Sequence, residues 1–410
     1  MSEDIDPVAG NASEPIGMGE TIRLLQRYEQ IERVLMRIGA GWAMATTNWN
    51  VKVTLGRHIW QDAQRAQRWR LRLKELRSGP LGPDNNTGLT EVADYAARAN
   101  HTAEYIAGMY GVLKSDLLRT YLAHESWTCS ALDDATLEAL RLNRVSLAEQ
   151  CTWAEGVASF GLIPAFDSAE AKVWSGCVLA KLQQAGGIDG RQQAVASITG
   201  VLPERSPFKR PHSHRVDGFQ MKKARDKFAD GENQSLQRQH VFRNFMNEIG
   251  AGDNVASIVY DAPPTVQWEF LHDMARHAWD EYRHATMGLT RLRKLGYDPA
   301  EFPLGYGVFE FRDALTIVDR LGMLVFIDEA DSFEYKRENR EIFERMSDET
   351  SVQNMLFDIS DETRHVANGH KWIAHLQEVT GDKRSRETLM IDLRRLLEER
   401  IAFMGSGSKN

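Results

Sequence analysis

The chain has 410 residues, of which 42% are hydrophobic and 26% charged. This composition is typical of a folded globular protein and excludes a disordered one, and the length predicts two domains. Acidic residues outnumber basic ones by 58 to 50, which gives a formal net charge of −8. The acid excess argues against nucleic acid as the main partner.

The apolar runs and the cysteines indicate the cellular compartment of the protein. No run approaches the roughly 18 apolar residues of a membrane span, and the longest, at 321–327, contains a glycine. The first 19 residues lack the basic-then-apolar pattern of an export signal. Three cysteines without C-x-x-C spacing fit a reducing compartment. We therefore expect a cytoplasmic protein without membrane contact.

Taken in order, the predicted elements are helices separated by proline-rich breaks. A flexible stretch over 1–19 precedes a helical region over 20–200, which has a break near 79–88. A basic, proline-containing linker over 201–235 leads to a second helical region over 236–404, and a disordered tail follows over 405–410. Apolar residues recur at spacings of three and four, as from Leu24 to Ile38. The pattern predicts an all-α protein.

An internal repeat relates the two halves. The IGAG of 38–41 recurs at 249–252, and 57–76 matches 276–295, both opening with Arg-His-x-Trp. Where the second half has Glu248, Glu281 and His284, the first has Arg37, Asp62 and Arg65. The overlay predicts that the second half is functional and that the first half is a degenerate copy, which has lost these potential metal ligands.

Two copies of D-E-x-R-H, at 280–284 and 361–365, are the strongest chemical signal. On a helix, the Glu and His of each copy lie three residues apart on one face. A four-helix carboxylate site takes a single Glu from each of two helices and Glu-x-x-His from each of the other two. One glutamate precedes each motif glutamate by 33 residues. The predicted metal ligands are Glu248, Glu281, His284, Glu329, Glu362 and His365.

Carboxylates with imidazoles suit two ions of iron, with manganese or a mixed Fe/Mn pair as the alternative. Glu329 follows a strongly apolar segment, where an unpaired carboxylate would be costly. Glu334 and Glu338 are rival candidates on the same helix. Surface ion pairs are the competing interpretation of the whole set.

These motifs resemble the ferritin-like di-iron carboxylate superfamily over roughly residues 236–380, and residues 20–200 resemble a degenerate second copy. The doubled motif is most similar to the oxygen-activating branch, which includes the hydroxylases of bacterial multicomponent monooxygenases and the acyl-carrier-protein desaturases. The resemblance implies two fused ferritin-like four-helix bundles, of which the C-terminal one binds metal. It also implies that Asp280 and Asp361 hold the ligand imidazoles, with Arg283 and Arg364 paired to these acids.

The activity implied is that of an O2-dependent di-iron oxidase or oxygenase acting on a small organic substrate, with an external electron donor. Hydroxylation, N-oxygenation, desaturation and C–C cleavage all remain open, and a homodimer is expected. One alternative is a ferroxidase, iron-handling or peroxide-consuming protein. A second alternative is a non-catalytic helical interaction protein.

Several other residues admit two interpretations. His277 is predicted to be structural, because His58 occupies the same place in the degenerate half. Gly252, Phe326 and Phe333 are candidates for the wall of a substrate pocket, with helix packing as the alternative. The histidines of the PHSHR stretch at 211–215 are expected to be solvated.

Overall fold

Most of the residues that the structure describes are helical, so the all-α prediction is confirmed. The structure, a computed structural model, describes residues 16–82, 88–159, 168–192, 202–224 and 233–405. Within these ranges the only strands are β1 (Met221–Lys222) and β2 (Leu304–Gly305), which pair in parallel. Most of the predicted flexible N-terminus (1–15), most of the predicted tail (406–410) and parts of the predicted linker (201 and 225–232) lie outside the described residues.

The helices before the predicted linker include three long ones and several shorter ones. A π-helical segment (Met109–Lys114) joins the fourth to the fifth, and the sixth has a non-helical backbone at Asp133. They are α1 (Met18–Ala45), α2 (Trp49–Glu75), α3 (Leu89–Ala97), α4 (Thr102–Gly108), α5 (Ser115–Trp127), α6 (Ser130–Ser159) and α7 (Ala169–Gln184).

The helices after the predicted linker carry all six predicted metal ligands. A second π-helical segment (Met323–Glu329) makes one continuous helical run from 317 to 345, and a short 3-10 turn (Pro299–Glu301) precedes β2. They are α8 (Gln234–Met246), α9 (Ile249–Asp261), α10 (Trp268–Lys294), α11 (Gly307–Asp313), α12 (Ile317–Gly322), α13 (Ala330–Arg345), α14 (Glu349–Thr380) and α15 (Arg386–Gly405).

The chain forms two compact units that are discontinuous in sequence. Unit 1 comprises 1–34 and 64–208, and unit 2 comprises 35–63 and 209–410. The sequence pattern placed all of 20–200 in one domain, whereas 35–63 groups with the second half because α1 and α2 are long enough to contribute to both units. In unit 2, for example, Arg37 donates hydrogen bonds to the carbonyls of Tyr260 and Ala262 at the end of α9.

The core of unit 1 follows the apolar stripe read from the sequence. Leu24, Leu25, Tyr28 and Ile31 of α1 are fully buried. The ring of Tyr28 packs edge-on against Tyr121, with centroids 4.9 Å apart. Burial of such side chains, at about 1.5–3 kcal/mol each, is what holds a helix of this kind in place.

A buried polar network in unit 2 is centred on Asp253 of α9. Its carboxylate accepts hydrogen bonds from Lys52 Nζ (2.8 Å), His214 Nδ1 (2.7 Å) and Tyr282 Oη (2.7 Å). The expectation that His214 is solvated is therefore wrong, because its ring is buried against a carboxylate. Nearby, Arg210 pairs with Asp261. Part of the predicted linker is thus packed onto unit 2.

Among the residues that the structure describes, no helix is both long enough and apolar enough to cross a membrane.

Candidate metal centre

Four helical segments of unit 2 bring the predicted ligands together. Glu248 lies at the junction of α8 and α9, and Glu329 ends the π-helical segment before α13. Two ligands come from α10 and two from α14. With two additional residues, these side chains form two groups whose ligand-type atoms all lie within 4.8 Å of one another in each group.

The first group contains His277, Glu281, Glu329 and His365, all of them buried. His277 Nε2 lies 2.8 Å from Glu329 Oε1 and 3.2 Å from Glu281 Oε1. His365 Nδ1 lies 3.3 Å from the same Glu281 oxygen. The two imidazole rings stack with centroids 3.6 Å apart. The first group therefore offers two carboxylates and two imidazoles to one point.

The second group contains Glu248, His284, Asp358 and Glu362. His284 Nδ1 lies 3.4 Å from Glu248 Oε2 and 3.4 Å from Asp358 Oδ1. A buried cation, Lys336, donates hydrogen bonds to Asp358 and Glu362. The second group thus offers three carboxylates and one imidazole, with an ammonium beside them.

Each of these eight side chains keeps one buried atom that makes no hydrogen bond. Buried polar atoms are nearly always hydrogen-bonded, and leaving one unmatched costs about 1–3 kcal/mol. Some of these atoms still lie close to a group of opposite charge: Asp358 Oδ2 is 2.9 Å from the Lys336 ammonium, Glu281 Oε1 is 3.2 Å from His277 Nε2, and Glu248 Oε2 is 3.4 Å from His284 Nδ1. The eight atoms are Glu248 Oε2, His277 Nδ1, Glu281 Oε1, His284 Nδ1, Glu329 Oε2, Asp358 Oδ2, Glu362 Oε2 and His365 Nδ1. Such a concentration of unmatched donors and acceptors fits a site for cations.

Two aspartates bridge the motif copies crosswise. His284 Nε2 lies 3.3 Å from Asp361, and His365 Nε2 lies 3.3 Å from Asp280, so each acid contacts the imidazole of the other motif. Arg364 donates to Asp280 (2.8 Å) and Asp361 (2.6 Å). Arg283 likewise contacts both acids. These contacts orient both rings with Nδ1 toward the groups, because each acid accepts from the other ring nitrogen.

The pKa values of Glu248 and His284 are both raised, for different physical reasons. Burial raises the pKa of Glu248 to about 8. Burial opposes protonation of His284, but Asp358, Asp361 and Glu248 outweigh it and raise its pKa well above the usual value. These are the shifts of clustered carboxylates that retain protons as counter-charges, and a bound cation displaces such protons.

Two of the clustered residues, His277 and Asp358, were not among the predicted ligands. The prediction of a merely structural His277 relied on His58, yet His277 faces Glu281 and Glu329 within hydrogen-bonding distance. The sequence did contain a signal for both residues. His277 and Asp358 each lie seven residues before the histidine of their motif, as in H-x-x-D-E-x-R-H and D-x-x-D-E-x-R-H. Both copies of the motif therefore extend one turn further than D-E-x-R-H.

The rival ligand candidates and the candidates for a pocket wall lie outside the two ligand groups. Glu334 and Glu338 are exposed. Gly252 packs against the ring of Tyr282, which lies 2.7 Å from where a Cβ would stand, so close packing accounts for this glycine. Phe326 is buried near His370, with ring centroids 4.8 Å apart, and Phe333 lies beneath the guanidinium of Arg337.

Comparison with known proteins identifies a family. Residues 172–400 match the family described as "Protein of unknown function (DUF455)", a span that covers more than half of the chain. No curated protein and no solved structure matches the chain. The matched span includes all eight clustered side chains. The chain belongs to the DUF455 family.

Proposed function

We propose that unit 2 binds two metal ions, preferentially iron, and uses them with O2 to oxidise a small organic substrate. The observation that carries the proposal is the convergence of eight carboxylate and imidazole side chains in two adjoining groups, each side chain keeping a buried atom that makes no hydrogen bond. Five carboxylates and three imidazoles form a donor set suited to iron or manganese. In this proposal unit 2 is a ferritin-like four-helix bundle and unit 1 is its degenerate copy.

Iron bound in such a site supplies one-electron and O2 chemistry that amino-acid side chains cannot. The protein's own residues have separate tasks. Glu281 and Glu362, the motif glutamates, bind the ions together with the imidazoles of the two groups. Asp280 and Asp361 fix the orientation and the tautomer of His365 and His284. The burial of both groups limits access of bulk water, and an external donor supplies the electrons.

Metal binding is the first test of the proposal. Purified protein loaded with Fe(II) without oxygen should hold two irons per chain. Glu281→Ala and His365→Ala each remove a ligand, so iron affinity should fall by more than about tenfold and O2 consumption should be lost. Iron content by mass spectrometry and an oxygen electrode provide the two measurements.

Matched controls lie on neighbouring helices. Glu334→Ala and His370→Ala remove exposed residues of the same types and should leave iron content unchanged. Equal iron content in wild type, Glu281→Ala and His365→Ala would contradict the proposed ligands. Catalytic oxidation of Fe(II) in excess of the bound ions, without an organic substrate, would indicate a ferroxidase instead.

A further inference from the structure

Lys336 is a buried cation at the edge of the second group. It lies on α13 seven residues after Glu329, which places both on one face two helical turns apart. Its Nζ donates to Asp358 Oδ1 at 3.0 Å and to Glu362 Oε1 at 2.7 Å, and its side chain is 9% exposed. The ammonium is therefore held in the interior between two carboxylates of the second group.

The two groups differ in charge by one carboxylate. The first group has two, Glu281 and Glu329, whereas the second has three, Glu248, Asp358 and Glu362. A divalent ion neutralises two carboxylates, which leaves one buried negative charge in the second group. An uncompensated buried charge is strongly unfavourable, and the Lys336 ammonium supplies the missing positive charge.

The contacts of Lys336 leave ligand atoms of the second group for another cation. Lys336 hydrogen-bonds one oxygen of Glu362 and leaves Oε2 without a partner. His284 Nδ1 and Glu248 Oε2 are also unmatched. The same carboxylates can therefore hold the ammonium on one side and an ion on the other.

We propose that Lys336 is a positioning residue that balances the third carboxylate of the second group and makes this group favour a divalent over a trivalent ion. This inference rests on the proposed iron centre. A fixed positive charge raises the energy of a neighbouring ion in proportion to that ion's charge, so it disfavours Fe(III) more than Fe(II). Lys336 therefore keeps iron in the second group reduced until the reaction begins.

The test is a redox titration of the iron-loaded full chain. At the midpoint potential of the wild type, Lys336→Met should raise the ratio of oxidised to reduced iron by at least about tenfold while retaining two irons per chain. Lys336→Arg keeps the charge and should stay within about twofold of wild type. Lys371→Met, which removes an exposed lysine paired with Asp273, should have no effect.

A second neutral variant guards against misfolding of Lys336→Met. Lys336→Gln also removes the charge but keeps an amide that can donate a hydrogen bond to Glu362, and it should fold, bind two irons and raise the ratio in the same direction. An unchanged ratio in Lys336→Met with two irons bound would overturn the inference alone. So would one iron in wild type and two in Lys336→Met, because Lys336 would then occupy an ion's place. Absence of iron from the wild type would overturn the proposed function as well.

Discussion

At the scale of single residues, buried histidines have opposite charge states in the two units. His284 and His365 of unit 2 gain a proton because carboxylates surround them. His124 of unit 1 lies in an apolar setting, with its Nδ1 3.2 Å from the hydroxyl of Tyr28. Burial lowers the pKa of His124 to about 4, so the folded protein holds this ring neutral. The environment, and not the residue type, decides the charge.

His124 should make the stability of the protein depend on pH. An unfolded histidine takes up its proton near pH 6.5, whereas the folded one does so only near pH 4. Between these pH values the unfolded state binds more protons than the folded state. His124 therefore leaves the free energy of unfolding undiminished above pH 6.5 and lowers it as the pH falls toward 4. The loss should reach about 3 kcal/mol.

Urea unfolding of wild type and His124→Gln at several pH values measures this effect. Glutamine does not titrate, and it can still hydrogen-bond Tyr28. Acidification from pH 7 to pH 4 should therefore cost the wild type more stability than the variant. A stability difference that does not vary with pH would contradict the assigned shift.

At the scale of elements, close helix contacts and π-helical turns position the site. α8 and α10 approach so closely that a Cβ on Gly288 would stand 2.4 Å from the Met246 nitrogen and 2.5 Å from the Phe242 carbonyl oxygen. The π-helical segment that ends at Glu329 inserts a wider turn into the helical run from 317 to 345. Such a turn changes which face the following residues occupy and brings Glu329 to the first group.

Gly288→Ala should be strongly destabilising, because the obstructing atoms belong to the backbone and cannot rotate away. We expect a loss of about 3 kcal/mol, measured by thermal or urea unfolding. Gly176→Ala in α7 is the matched control, since a Cβ there meets no atom within 4 Å. The control should gain about 0.5–1 kcal/mol from the better helix propensity of alanine. Equal stability of the two variants would rule out the tight α8–α10 contact.

At the scale of the whole molecule, unit 1 has a buried polar cluster of a different composition. Arg65 donates to Glu32 at 2.6 Å, and Lys114 donates to Gln150 at 2.6 Å. Lys114 ends the π-helical segment of unit 1, as Glu329 ends that of unit 2. The sequence overlay pointed to a cationic replacement at Arg65, and the structure pairs this buried cation with Glu32. Arg37, also expected in that set, contacts the end of α9 instead.

Unit 1 should therefore bind no iron, and the full chain should hold two irons rather than four. Glu32→Gln removes the charge partner of buried Arg65 and should destabilise the protein by about 3–5 kcal/mol. It should leave the iron content per chain unchanged, as metal analysis can establish. Reduced iron content in folded Glu32→Gln would show that unit 1 contributes to metal binding.

The sequence by itself determined the helical class and the core of the candidate site. Residues three apart on a helix share a face whatever the tertiary structure, so D-E-x-R-H already paired Glu281 with His284 and Glu362 with His365. The structure brings all six predicted ligands together. It also places Asp280 and Asp361 against the imidazoles.

Only the tertiary structure decided how these pieces meet. It placed His277 and Asp358 in the groups and Lys336 beside the second one. It linked each aspartate to the imidazole of the opposite helix, and it joined residues 35–63 to unit 2. Spacing along one helix fixes which side chains share a face. The partner of that face depends on helix packing, on the wider π-helical turn before Glu329 and on the balance of buried charge, all of which arise between segments distant in sequence.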